Sequence, residues 1–209
     1  TAPYAAMSEG PPIPVKTVES RPTAPDSERP APAPKPELGE QFAVLSEKGL
    51  AAYGGEAFQA LAKRVKESKG EGIPFLAGVL RDSKSPQERF MAAALMEASG
   101  DVSAVPALAE ALKSDPDELV GRMASHGLAV LGTDGAEPPL RAAMTGDKDW
   151  GVRANSAYGL AKMGREDGLR MLEEFYASAD TPVEYRLAVL GGLADVAAPS
   201  TAPLFRRIL

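Results

Sequence analysis

The sequence predicts an all-α protein: a right-handed α-solenoid of about 32-residue antiparallel helix pairs, preceded by an extended proline-rich segment. Three observations predict it. Residues 147–164, DKDWGVRANSAYGLAKMG, carry a helix start at Asp149, apolar residues at helical spacing (Val152, Ala157, Leu160, Met163) and a glycine stop at Gly164. The same pattern recurs along the chain, with capping residues Ser85, Asp117, Asp149 and Thr181 placed 32 apart. Ten of the nineteen prolines crowd into residues 1–38, which sets that stretch apart from everything after it.

Residues 1–38 contain runs such as PPIP and PAPAPKP. Proline fixes φ and removes a backbone donor, so the segment suits a polyproline-II spacer, with a contour of ~110 Å. Tyr4, Met7, Ile13 and Val15 are the residues with which it could also dock on another subunit. Residues 39–72 read as an atypical N-terminal cap. Its first helix carries Phe42, Val44 and Leu45 and ends near Gly54 and Gly55; its second spans about 56–68, with Phe58, Leu61 and Val65 inward.

Regular repeats follow over 73–209. Second helices open at Ile73-Pro74, Val105-Pro106, Glu137-Pro138, Leu169-Arg170 and Ala202-Pro203, the last shifted by one. Proline in a first turn costs no hydrogen bond. Their inward columns are Leu76, Leu108, Leu140, Leu172, Phe205 and Val79, Ala111, Ala143, Phe175, Ile208. First helices open at Ser85-Pro86-Gln87-Glu88 and Thr181-Pro182-Val183-Glu184, both legible as capping boxes, and at Asp117 and Asp149 between them. Their inward columns are Ala93, Ser125, Ala157, Leu190 and Met96, Leu128, Leu160, Leu193. A further column, Leu95, Gly127, Gly159, Gly192, is nearly all glycine. Glycine inside a helix costs ~1 kcal/mol relative to alanine, so its recurrence predicts close approach of a neighbouring backbone. Gly100, Gly132 and Gly164 supply the stops.

The run D-x-x-V-R-x-x-A-x-x-x-L-x-x-x-G followed by a P-x-L helix resembles the short bacterial HEAT-like repeat of the phycocyanobilin-lyase type, over residues ~56–209. Asp149, Val152, Arg153, Leu160 and Gly164 match it, and Arg89 and Arg186 fill the arginine column; the second unit departs, with Gly121 there and Arg122 beside it. The resemblance implies an ARM-type fold and an inter-unit role for Arg89, Arg153, Arg186, Asp117 and Asp149. It also implies that each arginine reaches an acid or helix-end carbonyl of the next unit, with Asp115, Asp147 and Asp180 as the natural acids. It implies too that the second helices line the concave surface, where Ala77, Ala109, Arg141, Glu173, Arg206 and Gly78, Glu110, Ala142, Glu174, Arg207 point outward.

Function is read from what breaks these columns. Trp150 sits where other units carry Pro86, Glu118 and Pro182, and is either an exposed interface ring or a cover for the seam between units. His126 is the only histidine; it shares a column with Ala94, Tyr158 and Gly191. The spacing Tyr158-x-x-x-Lys162 imitates a dehydrogenase pair, but no glycine-rich dinucleotide turn accompanies it. Together with Arg141, Glu173, Arg206 and Arg207, these residues form the candidate partner surface. No cysteine, phosphate loop, G-x-S-x-G elbow or H-E-x-x-H occurs, so neither catalytic residues nor a metal or cofactor is assigned.

The net charge is −6, of which −5 falls beyond residue 38, and a polyanion surface would need a basic stripe instead. The reading is therefore a non-enzymatic scaffold or assembly subunit that binds protein partners, not nucleic acid. The resemblance implies two competitors. One is bilin-lyase-like handling of a chromophore; the other is lesion recognition of the HEAT-like glycosylase sort, which the acidic charge disfavours. No run of 18 apolar residues crosses a membrane, while tethering upstream of residue 1 fits the proline-rich start. A non-Met first residue, the absence of Cys and that tether together favour a periplasmic setting over a cytoplasmic one. The last residues, 205–209, still follow the second-helix pattern, which leads us to expect a continuing array or a covering subunit there.

Overall fold

A computed structural model describes residues 38–68 and 71–196 of the compact unit Pro36–Leu209. The expected 1–38 tether, apart from Leu38, lies outside the described residues, as do Arg206, Arg207 and the last proline-opened helix. Ten α-helices fill the described residues and no strand does: α1 Leu38–Glu47, α2 Glu56–Glu67, α3 Gly72–Asp82, α4 Pro86–Ser99, α5 Val105–Ser114, α6 Glu118–Leu131, α7 Glu137–Gly146, α8 Trp150–Lys162, α9 Glu166–Ala177 and α10 Val183–Val196. They form an all-α solenoid.

Local sequence explains the helix limits. Ser85, Asp117 and Asp149 each accept backbone N–H groups of the first turn, from Glu88, from Leu119 and Val120, and from Val152 respectively. At α4 the capping box is relayed. Ser85 N–H donates to Ser83 Oγ, and that hydroxyl donates to Glu88 at 2.6 Å. Gly100, Gly132 and Gly164 adopt φ of 66°, 57° and 75°, the left-handed region that stops a helix. Short 3-10 turns, Val102–Ala104 and Asp134–Ala136, then lead into α5 and α7.

Two expectations need correcting. The first helix does not run to Gly54; it stops at Glu47, because Gly49 enters the left-handed region (φ 64°) and a 3-10 turn, Gly49–Ala52, replaces it. The fourth repeat is not capped by Thr181. The bond that Arg89, Gly121 and Arg153 make back to Ser85, Asp117 and Asp149 is made by Arg186 to Pro182 O, one residue later. Ser178 takes the helix-end place that Asp115 and Asp147 hold after α5 and α7, and the turn into α10 is two residues longer than those into α6 and α8. Thr181 is instead buried, its hydroxyl without a partner.

The even-numbered helices from α2 to α10 stack side by side as one layer, and α3, α5 and α7 as a second, more loosely joined layer. Each of α3, α5 and α7 packs most closely on the first helix that follows it, while α9 packs on both α8 and α10. The core lies between layers. Leu76, Leu108 and Leu140 are fully buried and Leu172 almost so; Met96, Leu128, Leu160 and Leu193 are fully buried on the first helices. At the N-terminal end aromatic edges hold the cap, with Tyr53 against both Phe58 and Phe90 and Phe42 against Phe75.

The glycine column explains the tight first layer. A Cβ at Gly159 would stand 2.7 Å from Ala129 Cβ and 2.8 Å from its Cα, and one at Gly127 would meet Leu108 and Glu97 at 3.1 and 3.3 Å. Gly159→Ala should therefore destabilise the fold by about 1–3 kcal/mol from overpacking, offset by only ~1 kcal/mol of helix propensity. Gly78→Ala, at an α3 position with open space around it, should stabilise by up to ~1 kcal/mol. Urea unfolding midpoints that move in opposite directions check this pair.

Candidate functional site

Side chains that keep the repeat are spent between units. Arg89 grips Asp115, at the end of α5, through two bonds of 2.7 and 2.9 Å, and donates a third to Ser83 O. Both ends of this pair are more than nine-tenths buried, and the carboxylate raises the Arg89 pKa. Arg122, one place along from Gly121, binds Asp149 of the next unit at 2.8 and 2.6 Å. Asp149 thus caps α8 and joins α6 to it. Burial would raise its pKa, but the Arg122 hydrogen bonds hold it below the ordinary carboxylate value. Asp117 caps α6 through the N–H groups of Leu119 and Val120, and its charge adds to that of Asp115 in raising the Arg89 pKa.

Arg153 does not pair with Asp147 or Asp180. The acid that answers Arg89 sits at the end of a second helix, and Ser178 fills that place after α9. Arg153 instead stacks over Trp150 (4.5 Å to the ring centre) and Phe175 (4.8 Å), and donates to Met144 O. Trp150 meets Phe175 edge-on at 5.4 Å and is half-buried, so it covers the seam between α8 and α9 and is not an exposed ring. Arg141 is bound to Glu137 and to Asp167 of the next second helix, and Arg165 returns to Glu137 at 2.7 Å. Glu173 is half-buried on α9.

Side chains that break the repeat meet elsewhere. His126, Asn155 and Tyr158 line one groove of about 280 Å³ on the first-helix layer, closed on its far side by Ala188, Gly191, Gly192 and Asp195 of α10. Tyr158 leans over Gly192, where an added Cβ would touch its ring at 3.1 Å. Its hydroxyl donates to Asp195 at 2.6 Å, and Lys162 reaches the same carboxylate at 3.4 Å. Burial and then the Asp195 carboxylate push the Tyr158 pKa up, while the Tyr158 hydroxyl and Lys162 hold Asp195 low. Asn155 donates to Arg122 O and Ser125 Oγ at 3.1 and 3.2 Å, which fixes its amide at the groove wall. Beside His126, burial raises the Glu97 pKa and the imidazole opposes it.

Sequence reasoning placed His126 and Tyr158 in one column, and both line this groove. It missed Asn155 and Asp195. Asn155 was detectable as the polar residue in a column otherwise held by Met91, Met123 and Ala188. Among the described residues no group of three His, Cys, Asp or Glu side chains could hold a metal, and no helix is long and apolar enough to span a membrane.

The family model for HEAT repeats matches residues 105–190, from the start of α5 into α10. Residues 105–190 are HEAT-like repeats, and the all-helical stack of the described residues is consistent with them. HEAT repeats generally serve as protein-interaction scaffolds and are typically non-enzymatic. No curated protein matches the sequence.

Two outcomes follow from the repeat-keeping residues. Arg89→Ala strands a buried carboxylate and should cost about 3–5 kcal/mol in chemical denaturation, more than the half-exposed Arg141→Ala, at under ~1 kcal/mol. Asp149 has a depressed folded pKa, so its stabilisation is complete above its ordinary value of 3.8 and disappears as the pH falls through the depressed one. Arg122→Gln should flatten that acid limb of the melting temperature against pH, with the larger loss above the ordinary carboxylate value.

Proposed function

We propose that this HEAT-like repeat protein is a non-enzymatic scaffold, an assembly subunit of a larger complex, that receives a segment of a partner protein in the first-helix groove. One observation carries the reading: His126, Asn155, Tyr158 and Asp195, which depart from their columns, converge on one groove, whereas Arg89, Asp115, Arg122 and Asp149 are consumed in holding units together. The groove's charges are already matched, Lys162 against Asp195. What it offers an incoming chain is a small-residue floor and polar edges, which suit peptide backbone better than phosphate. The net charge of −6 points the same way.

Residues 1–38 act in this reading as the tether that keeps the solenoid near its complex, with Arg206 and Arg207 as further candidate contact residues. Trp150 and Arg141 contribute rigidity, since each is engaged with its neighbours; Glu173 stays on the outer surface of α9. Crosslinking followed by affinity purification of the full chain from its source cells tests the reading. Crosslinks should centre on α6, α8 and α10. His126→Ala and Tyr158→Ala should each lose the partner at least tenfold while melting within a few degrees of the parent. Crosslinks restricted to residues 1–38 or to the second helices would overturn the groove assignment.

A further inference from the structure

The groove on the first-helix layer has spent its side-chain donors and kept its acceptors. Ser125 Oγ gives its proton to Arg122 O, so it can only accept from Asn155. Asn155 therefore gives one amide N–H to Ser125 Oγ and the other to Arg122 O, and only its carbonyl oxygen is left for a ligand. Tyr158 gives its single proton to Asp195. Tyr158 and Lys162 both meet Asp195 at Oδ2, and Oδ1 has no partner among the described residues. His126, with one donor and one acceptor when neutral, is the exception.

Charge and shape run the same way. Among the described residues that line the groove Asp195 is the one carboxylate, and no lysine or arginine lines it. Lys162 holds Asp195 from the rim at 3.4 Å, with both side chains about half exposed. An ion pair so open contributes little and is readily exchanged. Along the floor Ala154, Ala188, Gly191 and Gly192 leave length without bulk, and a Cβ placed on Gly191 would meet nothing within 4 Å. The Tyr158 ring already takes a cation, with Lys162 Nζ 5.4 Å from its centre. A slot of about 280 Å³ with a free carboxylate oxygen beside an aromatic face suits a long, donor-rich cation. Guanidinium fits it better than ammonium, because it is planar, stacks on rings and is more weakly hydrated.

We infer that the partner segment received in this groove carries an arginine: its guanidinium binds Asp195 Oδ1 and lies on the Tyr158 ring in place of Lys162, while a backbone N–H of the segment donates to the Asn155 carbonyl. The inference rests on the groove being the partner site, as proposed above, and adds the chemistry that the segment must present. A segment that offers phosphate or carboxylate to the groove finds no side-chain donor there beyond His126.

The test titrates the isotope-labelled full chain with peptides of one neutral Gly-Ala-Ser sequence that carry arginine, citrulline, lysine or glutamate at the centre, and follows amide NMR shifts. Citrulline keeps the shape of arginine and removes its charge. The arginine peptide should shift the signals of Asn155, Tyr158 and Gly191 saturably and bind roughly tenfold more tightly than the others. Asp195→Asn, at an exposed position, should remove that preference without moving the melting temperature by more than a few degrees. Gly191→Leu, which fills the groove, should abolish binding of every peptide. An equal or stronger response to citrulline, lysine or glutamate at these signals overturns the arginine and leaves the groove reading standing. A chain that no peptide shifts there overturns the arginine too, and the partner crosslinks then decide the groove reading separately. Binding that appears only when Arg206→Ala and Arg207→Ala are combined also overturns it, because the chain's own arginines then occupy the groove.

Discussion

The constraint on which the rest depends is how near the first helices come to one another. Gly127, Gly159 and Gly192 each face the preceding first helix, and at Gly159 there is no room for a single methyl group. That approach draws α4, α6, α8 and α10 into one close layer, against which the second helices lay Leu76, Leu108, Leu140 and Leu172. Helix propensity is sacrificed at each of these glycines. What offsets it is dispersion and burial along the whole seam, which a wider spacing would forfeit.

Close stacking also dictates the electrostatics. With backbones this near, an arginine on one first helix reaches the turn that precedes the next, and the two long pairs, Arg89–Asp115 and Arg122–Asp149, fix the register between units. A buried ion pair adds little net stability over an apolar contact, but it penalises any slip that would leave one charge alone. Where the acid is replaced by Ser178, the protein uses another solution: Arg153 is held by two aromatic faces. The array is therefore joined by ion pairs along its length and by the aromatic faces around Arg153, and His126 and Tyr158, which belong to neither an arginine pair nor that aromatic joint, line the groove.

Much of this was legible in the residues. The 32-residue spacing of Ser85, Asp117 and Asp149, the leucine columns and the glycine column gave the helices, their faces and their order, because each is set by local periodicity and capping chemistry. The joints were less legible. Asp115, Asp147 and Asp180 look alike in the sequence, yet only Asp115 closes an arginine pair: the column that would face Asp147 holds Gly121, and the turn before α10 is two residues longer, which puts Ser178 and not Asp180 at the helix end. Trp150 stood open between an exposed ring and a cover for the seam because its column elsewhere holds proline and glutamate; the choice depends on Phe175, which replaces the smaller Ala143 and Ala111 one layer away. The pairing of Tyr158 with Asp195 joins residues 37 apart on different helices, a distance set by packing and not by any local pattern.

The central claim is that residues keeping the repeat hold the array together and residues breaking it on the first-helix face bind the partner. The most direct measurement is a paired scan of unfolding free energy and partner affinity, with the crosslinked partner as ligand, at Arg89, Asp115, Gly159, His126, Asn155 and Tyr158. The account predicts that changes at the first three lower stability and leave the affinity of the folded protein nearly unchanged. Changes at the last three should lower affinity with stability held to within about 1 kcal/mol. Loss of stability without loss of affinity at His126, Asn155 and Tyr158 would contradict it.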